Sequence, residues 1–98
     1  MKIFKYPLEL VRIQEISLPE GATILSVKSQ EQNKLSLWAA VNSDIIAETE
    51  KHTILVLVTG SEIPESYGQL QLLSTVLDGV FVWHVFLAIK EDVGVDLQ

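Results

Sequence analysis

Residues 70–89 read LQLLSTVLDGVFVWHVFLAI, two apolar runs joined at Asp78-Gly79. Asp-Gly tolerates the positive φ angles of a type I′ turn, so the stretch reads as a β-hairpin whose loop is that pair. In that register Leu77 faces Val80, Val76 faces Phe81, Thr75 faces Val82, Ser74 faces Trp83 and Leu73 faces His84. One face of the hairpin then carries Leu73, Thr75, Leu77, Val80, Val82 and His84. The other carries Leu72, Ser74, Val76, Phe81, Trp83 and Val85. Both faces are largely apolar, so the hairpin is expected at the centre of a sheet or where two chains meet.

Working back from it, residues 53–59 (TILVLVT) form a continuous β-branched run, the pattern of a strand covered on both faces. Gly60 ends that run, and residues 61–69, with Pro64 and Gly68, read as a loop anchored by Tyr67. Residues 42–51 are polar and acidic and read as a long loop. Residues 23–29 and 35–41 both alternate, and the short link Glu31-Gln32-Asn33-Lys34 makes them an antiparallel pair. Pro19-Glu20-Gly21-Ala22 is a turn, with glycine to accept positive φ. Residues 10–18 alternate imperfectly, and the change of phase near Glu15 fits either a bulge or a short helix over residues 9–15. Residues 2–8 (KIFKYPL) read as an edge strand stopped near Tyr6 by Pro7, which cannot donate to a ladder.

About six to seven short strands follow, without a long amphipathic helix. The expected fold is all-β: an antiparallel meander, a sandwich or a half-open barrel, with residues 1–90 as one domain. Residues 91–98 read as an acidic, flexible tail.

With 48% hydrophobic and 20% charged residues in 98, this is a chain that folds around a modest core. It has no cysteine, so neither disulfides nor thiolate metal sites hold it together. The opening MKIFKYPLEL lacks the apolar core of a signal peptide, and the longest apolar run, residues 80–89, is interrupted by His84 and too short for a bilayer. A soluble intracellular protein without membrane contact is therefore expected. A net charge of −6 argues against general nucleic-acid binding, which needs a basic footprint. The charge is uneven: residues 1–34 hold five basic side chains against four acids, and the remainder two against nine. An acidic surface keeps a small domain soluble, and can also mimic nucleic acid or dock on a basic partner.

Candidate chemistry is sparse. His52 and His84 are not spaced as metal ligands, and no metal or other cofactor is expected. The G-x-S-x-G elbow is absent, and Thr59-Gly60-Ser61-Glu62 lacks the length and the lysine of a phosphate loop. Glu48 and Glu50 lie in a polar stretch with nothing apolar to raise a carboxyl pKa. No enzymatic activity is expected. Trp38, Trp83, Phe81, Phe86 and Tyr67 are ring platforms for a base, with Lys51, Arg12 or Lys28 for a phosphate, although tryptophans on strands more often pack in a core or interface.

Five segments occur in order: Lys5-Tyr6-Pro7-Leu8, Leu18-Pro19-Glu20-Gly21-Ala22, Leu37-Trp38-Ala39 with Val41, Thr59-Gly60, and Val82-Trp83-His84-Val85-Phe86. That order resembles a family of small bacteriophage and prophage proteins known only as a domain of unknown function. The likeness runs from Met1 to Phe86, and residues 87–98 extend beyond it. The resemblance implies a phage accessory protein acting in the bacterial cytoplasm and brings no catalytic residues with it.

The functional expectation is a non-enzymatic binding protein that engages a host or phage macromolecule and thereby counters host defence. It is expected to be a homo-oligomer, most simply a dimer, joined through Phe81, Trp83, Val85 and Trp38. The alternative is a small-molecule binder that holds a nucleotide or other anion between subunits, with His84, Trp83, Lys51 and the turn of Thr59, Gly60 and Ser61 as contacts.

Overall fold

A computed structural model of the chain describes residues 1–43 and 48–89. All of its extended elements are β-strands: β1 (Lys2–Leu8), β2 (Ile13–Pro19), β3 (Thr23–Glu31), β4 (Lys34–Val41), β5 (Thr49–Val58), β6 (Leu70–Asp78) and β7 (Phe81–Ala88). Among the described residues the helical structure is a single 3-10 turn, Glu65–Tyr67. The expected tail and the middle of the 42–51 stretch lie outside the described residues. The strands form two antiparallel sheets, a three-stranded one in the order β1-β4-β3 and a four-stranded one in the order β2-β5-β7-β6. Of the three all-β arrangements consistent with the pattern, this is the two-sheet one, with no closed barrel.

The sheets face each other over a shared core. Leu8, Val27, Leu35, Leu37 and Ala39 come from one sheet, and Ile54, Val56, Val76 and Val85 from the other. The 54–57 run is buried along its whole length, as its unbroken apolar sequence requires. Ile54 and Val56 point into the core; Leu55 and Leu57 point to the opposite face, where the chain leaving β5 folds back beside Leu57.

Two bulges tune which side chains reach the core. In β3 the pairing shifts between Ile24 and Ser26, so that Ile24 and Val27, three apart, both pack inward and Leu25 is left exposed. In β6 the shift falls between Leu72 and Ser74, and it turns Leu73 inward toward Val76 while Leu72 goes out. By contrast β2 pairs with β5 in unbroken register from Ile13 to Pro19. The change of phase near Glu15 is therefore neither a bulge nor a helix. Ile13 pairs with Leu55 on the outer face, and Ile16 and Leu18 face the core, so one regular strand spends its apolar residues on both sides.

Other turns follow their chemistry. The Ala22 N–H donates to the Pro19 carbonyl at 3.0 Å, Gly21 has φ of 84°, and this turn carries the chain from one sheet to the other. Strand β1 runs past Tyr6 to Leu8, with Pro7 accommodated because β1 is an edge. Strand β5 begins at Thr49, so residues 49–51 belong to it rather than to a loop.

The hairpin itself departs from the simplest expectation. Asp78 pairs with Phe81, and the two-residue loop is Gly79-Val80. Gly79 has φ of 62° and Val80 is not in the positive region, the sign pattern of a type II′ turn with glycine first. Each β6 residue from Ser74 to Leu77 therefore faces a β7 residue two places further on than Asp78-Gly79 would dictate. An even shift keeps every side chain on its face, so the division into two faces survives except at the Leu72–Leu73 bulge.

The shift has a physical cause in Asp78, which is only 2% exposed. Its Oδ1 accepts the Asn33 backbone N–H at 2.8 Å and faces the Ser29 hydroxyl at 3.4 Å. Its Oδ2 accepts the Trp83 indole N–H at 3.1 Å. Placing Asp78 in the strand, facing inward, lets one carboxylate join the β3–β4 turn to the β6–β7 turn. The two tips are in contact: a Cβ on Gly79 would lie 2.9 Å from the Gln32 side-chain nitrogen.

The stabilities of four variants check this architecture. Leu37→Ala, at a position with no exposure, should cost about 2–5 kcal/mol in urea unfolding. Leu77→Ala, on the 76% exposed outer side of the same protein, should stay within about 0.5 kcal/mol. Asp78→Ala leaves two part-buried donors without their acceptor and should cost about 1–3 kcal/mol, with a change in Trp83 fluorescence. Asp78→Asn should recover part of that loss, since its amide oxygen still accepts one donor.

Candidate functional site

The outer face of the four-stranded sheet is where chemistry-bearing side chains converge. Strands β5 and β7 pair so that Leu57 lies beside His84 and Leu55 beside Phe86. After Val58 the chain turns tightly, with Ser61 N–H donating to the Val58 carbonyl at 3.0 Å and Gly60 at φ of 98°. It then returns along the outer face. A cavity of about 250 Å³ is left between this returning segment and the sheet, lined by Leu57, Thr59, Ser61, Ile63, His84 and Phe86 together with the backbone around Val58 and Gly60.

The cavity has an apolar body and a polar end. Leu57, Ile63 and Phe86 form the former, and Thr59, Ser61 and His84 the latter. The His84 ring is held from both sides. Its Nε2 lies 2.8 Å from the Thr59 hydroxyl and its Nδ1 lies 3.2 Å from the Thr75 hydroxyl. A hydroxyl can donate or accept, so either neutral tautomer is satisfied by this pair of threonines. No lysine, arginine or carboxylate lines the cavity.

The returning segment is braced from behind. Arg12 Nη2 donates to the Glu62 carbonyl at 3.0 Å, and the Arg12 carbonyl accepts the Val56 N–H at 3.0 Å, which ties Glu62 to β5 through one residue. The 3-10 turn Glu65–Tyr67 follows and closes on Gly68.

A hydroxyl 2.8 Å from an imidazole is within the reach of a nucleophile–base pair. The third group differs from that arrangement. Thr75 supplies a neutral hydroxyl where a carboxylate would stabilise an imidazolium. The chemistry this geometry supports directly is hydrogen bonding to a ligand. Among the described residues no group of three His, Asp or Glu side chains is placed to hold a metal.

Of the residues expected to bind a ligand, His84, Gly60 and Ser61 meet in this cavity. Trp83 does not, because it alternates with His84 and faces the core, where it pairs with Asp78. Lys51 does not either; it pairs with Ser17 at the far end of β5, about 20 Å along the strand from Leu57. The expected interface set also separates. Val85 is fully buried between the sheets and cannot meet another chain. Trp83 is largely spent on the core, with Phe81 stacked on it at 5.4 Å and half exposed at the hairpin tip. Trp38 lies on the outer side of the other sheet, opposite Lys5, whose ammonium sits 5.9 Å from the ring. These four residues do not share a surface. Thr59, from the same expected turn, and Phe86, one of the expected ring platforms, also line the cavity, whereas Thr75 and Ile63 were not foreseen, since their nearness to His84 comes from strand pairing and chain return.

The fold and site define a small two-sheet β module with a partly apolar cavity, without lysine, arginine or carboxylate in its lining, on an outer sheet face. The chain belongs to the family described as Domain of unknown function (DUF7352), whose model matches residues 1–94. It is also similar, at 34% identity over 67 residues, to a protein of Histophilus somni (strain 2336) named protein adenylyltransferase and cysteine protease IbpA. That match takes in 68% of this chain and spans 2% of the length of the IbpA protein. No solved structure matches the chain significantly. No helix among the described residues is long and apolar enough to cross a membrane.

Removing one of the two histidine partners tests the site's internal order. Thr75→Val should cost about 1 kcal/mol or less, because the bond is exposed. The ring resonances of His84 should move in NMR spectra, while those of His52, near Glu50 and away from the cavity, stay in place.

Proposed function

We propose that this chain is a non-enzymatic binding module whose working surface is the outer face of the four-stranded sheet. The observation that carries this reading is the chemistry of that face on β6 and β7. Its outward positions include Leu72, Thr75, Leu77, Val82, His84 and Phe86, all uncharged in a chain of net charge −6. Leu72 is 54% and Leu77 76% exposed. An uncharged sheet face with exposed leucines on either side of the Thr75–His84 pair is suited to seating another macromolecule.

The partner in this reading is a host or phage macromolecule, and the consequence is interference with host defence in the bacterial cytoplasm. The phage setting rests on the order of sequence segments from Lys5 to Phe86. The Histophilus somni similarity adds that a related segment forms a small part of a much longer protein, in keeping with a portable module. Self-association through this outer face would also give a homo-oligomer, joined by residues other than the expected Phe81, Trp83, Val85 and Trp38. The second reading, a small-molecule binder, draws on the meeting of His84, Gly60 and Ser61 in one cavity. A nucleotide is the weaker occupant, since its phosphates would find no cation in the lining.

Leu72→Asp with Leu77→Asp tests the lead reading, both positions being exposed enough to leave the fold intact. The wild-type chain should retain a protein at stoichiometric yield from bacterial lysate, or form dimers in native mass spectrometry. The double variant should lose that species while keeping its melting temperature. A monomeric wild type that retains no protein overturns the proposal.

A further inference from the structure

We infer that the cavity beside His84 receives a single tyrosine side chain presented by the macromolecular partner, an inference that rests on reading the outer face as a protein-binding surface. Size comes first. Pockets for small molecules usually enclose about 300–1,000 Å³, and this one, at about 250 Å³, is smaller. It is the size of a notch for one large side chain, and interface hot spots are enriched in Trp, Tyr and Arg seated in such pockets.

The lining then selects among them. Leu57, Ile63 and Phe86 offer an apolar slot suited to a ring, and no carboxylate is present to receive an arginine. At the polar end, Thr59 and His84 share one hydrogen bond at 2.8 Å, which leaves capacity on the Thr59 hydroxyl. If Thr59 donates to Nε2, its oxygen can still accept. If His84 donates to Thr59, the threonine O–H is left to donate. A phenol O–H answers both cases because it donates and accepts, whereas an indole N–H answers only the first. Phenylalanine would fill the slot without that hydrogen bond.

The test uses the intact chain, labelled with nitrogen-15, and N-acetyl-L-tyrosinamide as probe. Titration should give saturable shifts grouped on the amides of Thr59, Gly60, Ser61, Ile63, His84 and Phe86. N-acetyl-L-phenylalaninamide should bind the same site about 3–10-fold more weakly, the loss expected for one net hydrogen bond. Thr59→Val, at an exposed position, should lower tyrosinamide affinity to the phenylalaninamide value and leave phenylalaninamide unchanged. Shifts that do not saturate, or equal affinity for the two amides with no effect of Thr59→Val, overturn the inference. Failure of the wider reading looks different: tyrosinamide would still bind the notch, while the Leu72 and Leu77 substitutions would change neither capture nor oligomeric state.

Discussion

The structure depends on keeping water from both sides of residues 54–57. Four consecutive apolar side chains on a strand alternate between faces, so no single sheet-on-sheet contact can bury them all. The inner pair, Ile54 and Val56, is covered by the three-stranded sheet. For the outer pair, Leu55 and Leu57, no third sheet exists among the described residues. Cover there comes from neighbouring β2 and β7 side chains and from the chain that doubles back after Gly60. The cavity beside His84 is the place where that cover is incomplete. Fold and candidate site are thus two results of one burial requirement.

A second constraint decides how the two sheets close at one end. Asp78 is a buried carboxylate with no cation paired to it among the described residues, and such a group persists only where donors surround it. The Asn33 N–H and the Trp83 indole N–H supply that surrounding, with the Ser29 hydroxyl at the edge of range. Each donor belongs to a different local element, so the carboxylate orders a strand end, a turn and a tryptophan together. It also explains why Trp83 is unavailable for a ligand or a partner. Its ring packs against the core, and its one polar atom is already engaged.

Much of the architecture was legible from residue patterns. The buried run of β5, the antiparallel β3–β4 pair, the glycine turn at Gly21 and the two opposed faces of the hairpin all follow from alternation and turn chemistry. The hairpin loop was misplaced by one residue because Asp-Gly is a strong turn signal by itself. The competing demand on Asp78 comes from Asn33, far away in sequence. The bulges at Leu25 and Leu73 escaped for a related reason. A bulge is chosen to match a partner strand's register, which one strand's sequence does not contain. The four residues expected at an interface are placed apart because both hairpin faces are apolar, and period-two alternation sorts residues into faces without saying which face turns inward.

Residues 70–89 by themselves determined that a hairpin would form and which side chains would travel together, because strand geometry alternates whatever lies around it. The joining of His84 with Thr59, Thr75 and the Ser61–Ile63 segment is a different matter. It required β5, β6 and β7 to align and the chain to return over the outer face. Only the tertiary structure could decide that Val85 and Trp83 serve the core while Leu72, Leu77 and His84 face outward. The three-stranded sheet covers one apolar face of the hairpin, and the fold has no second such sheet among the described residues for the other.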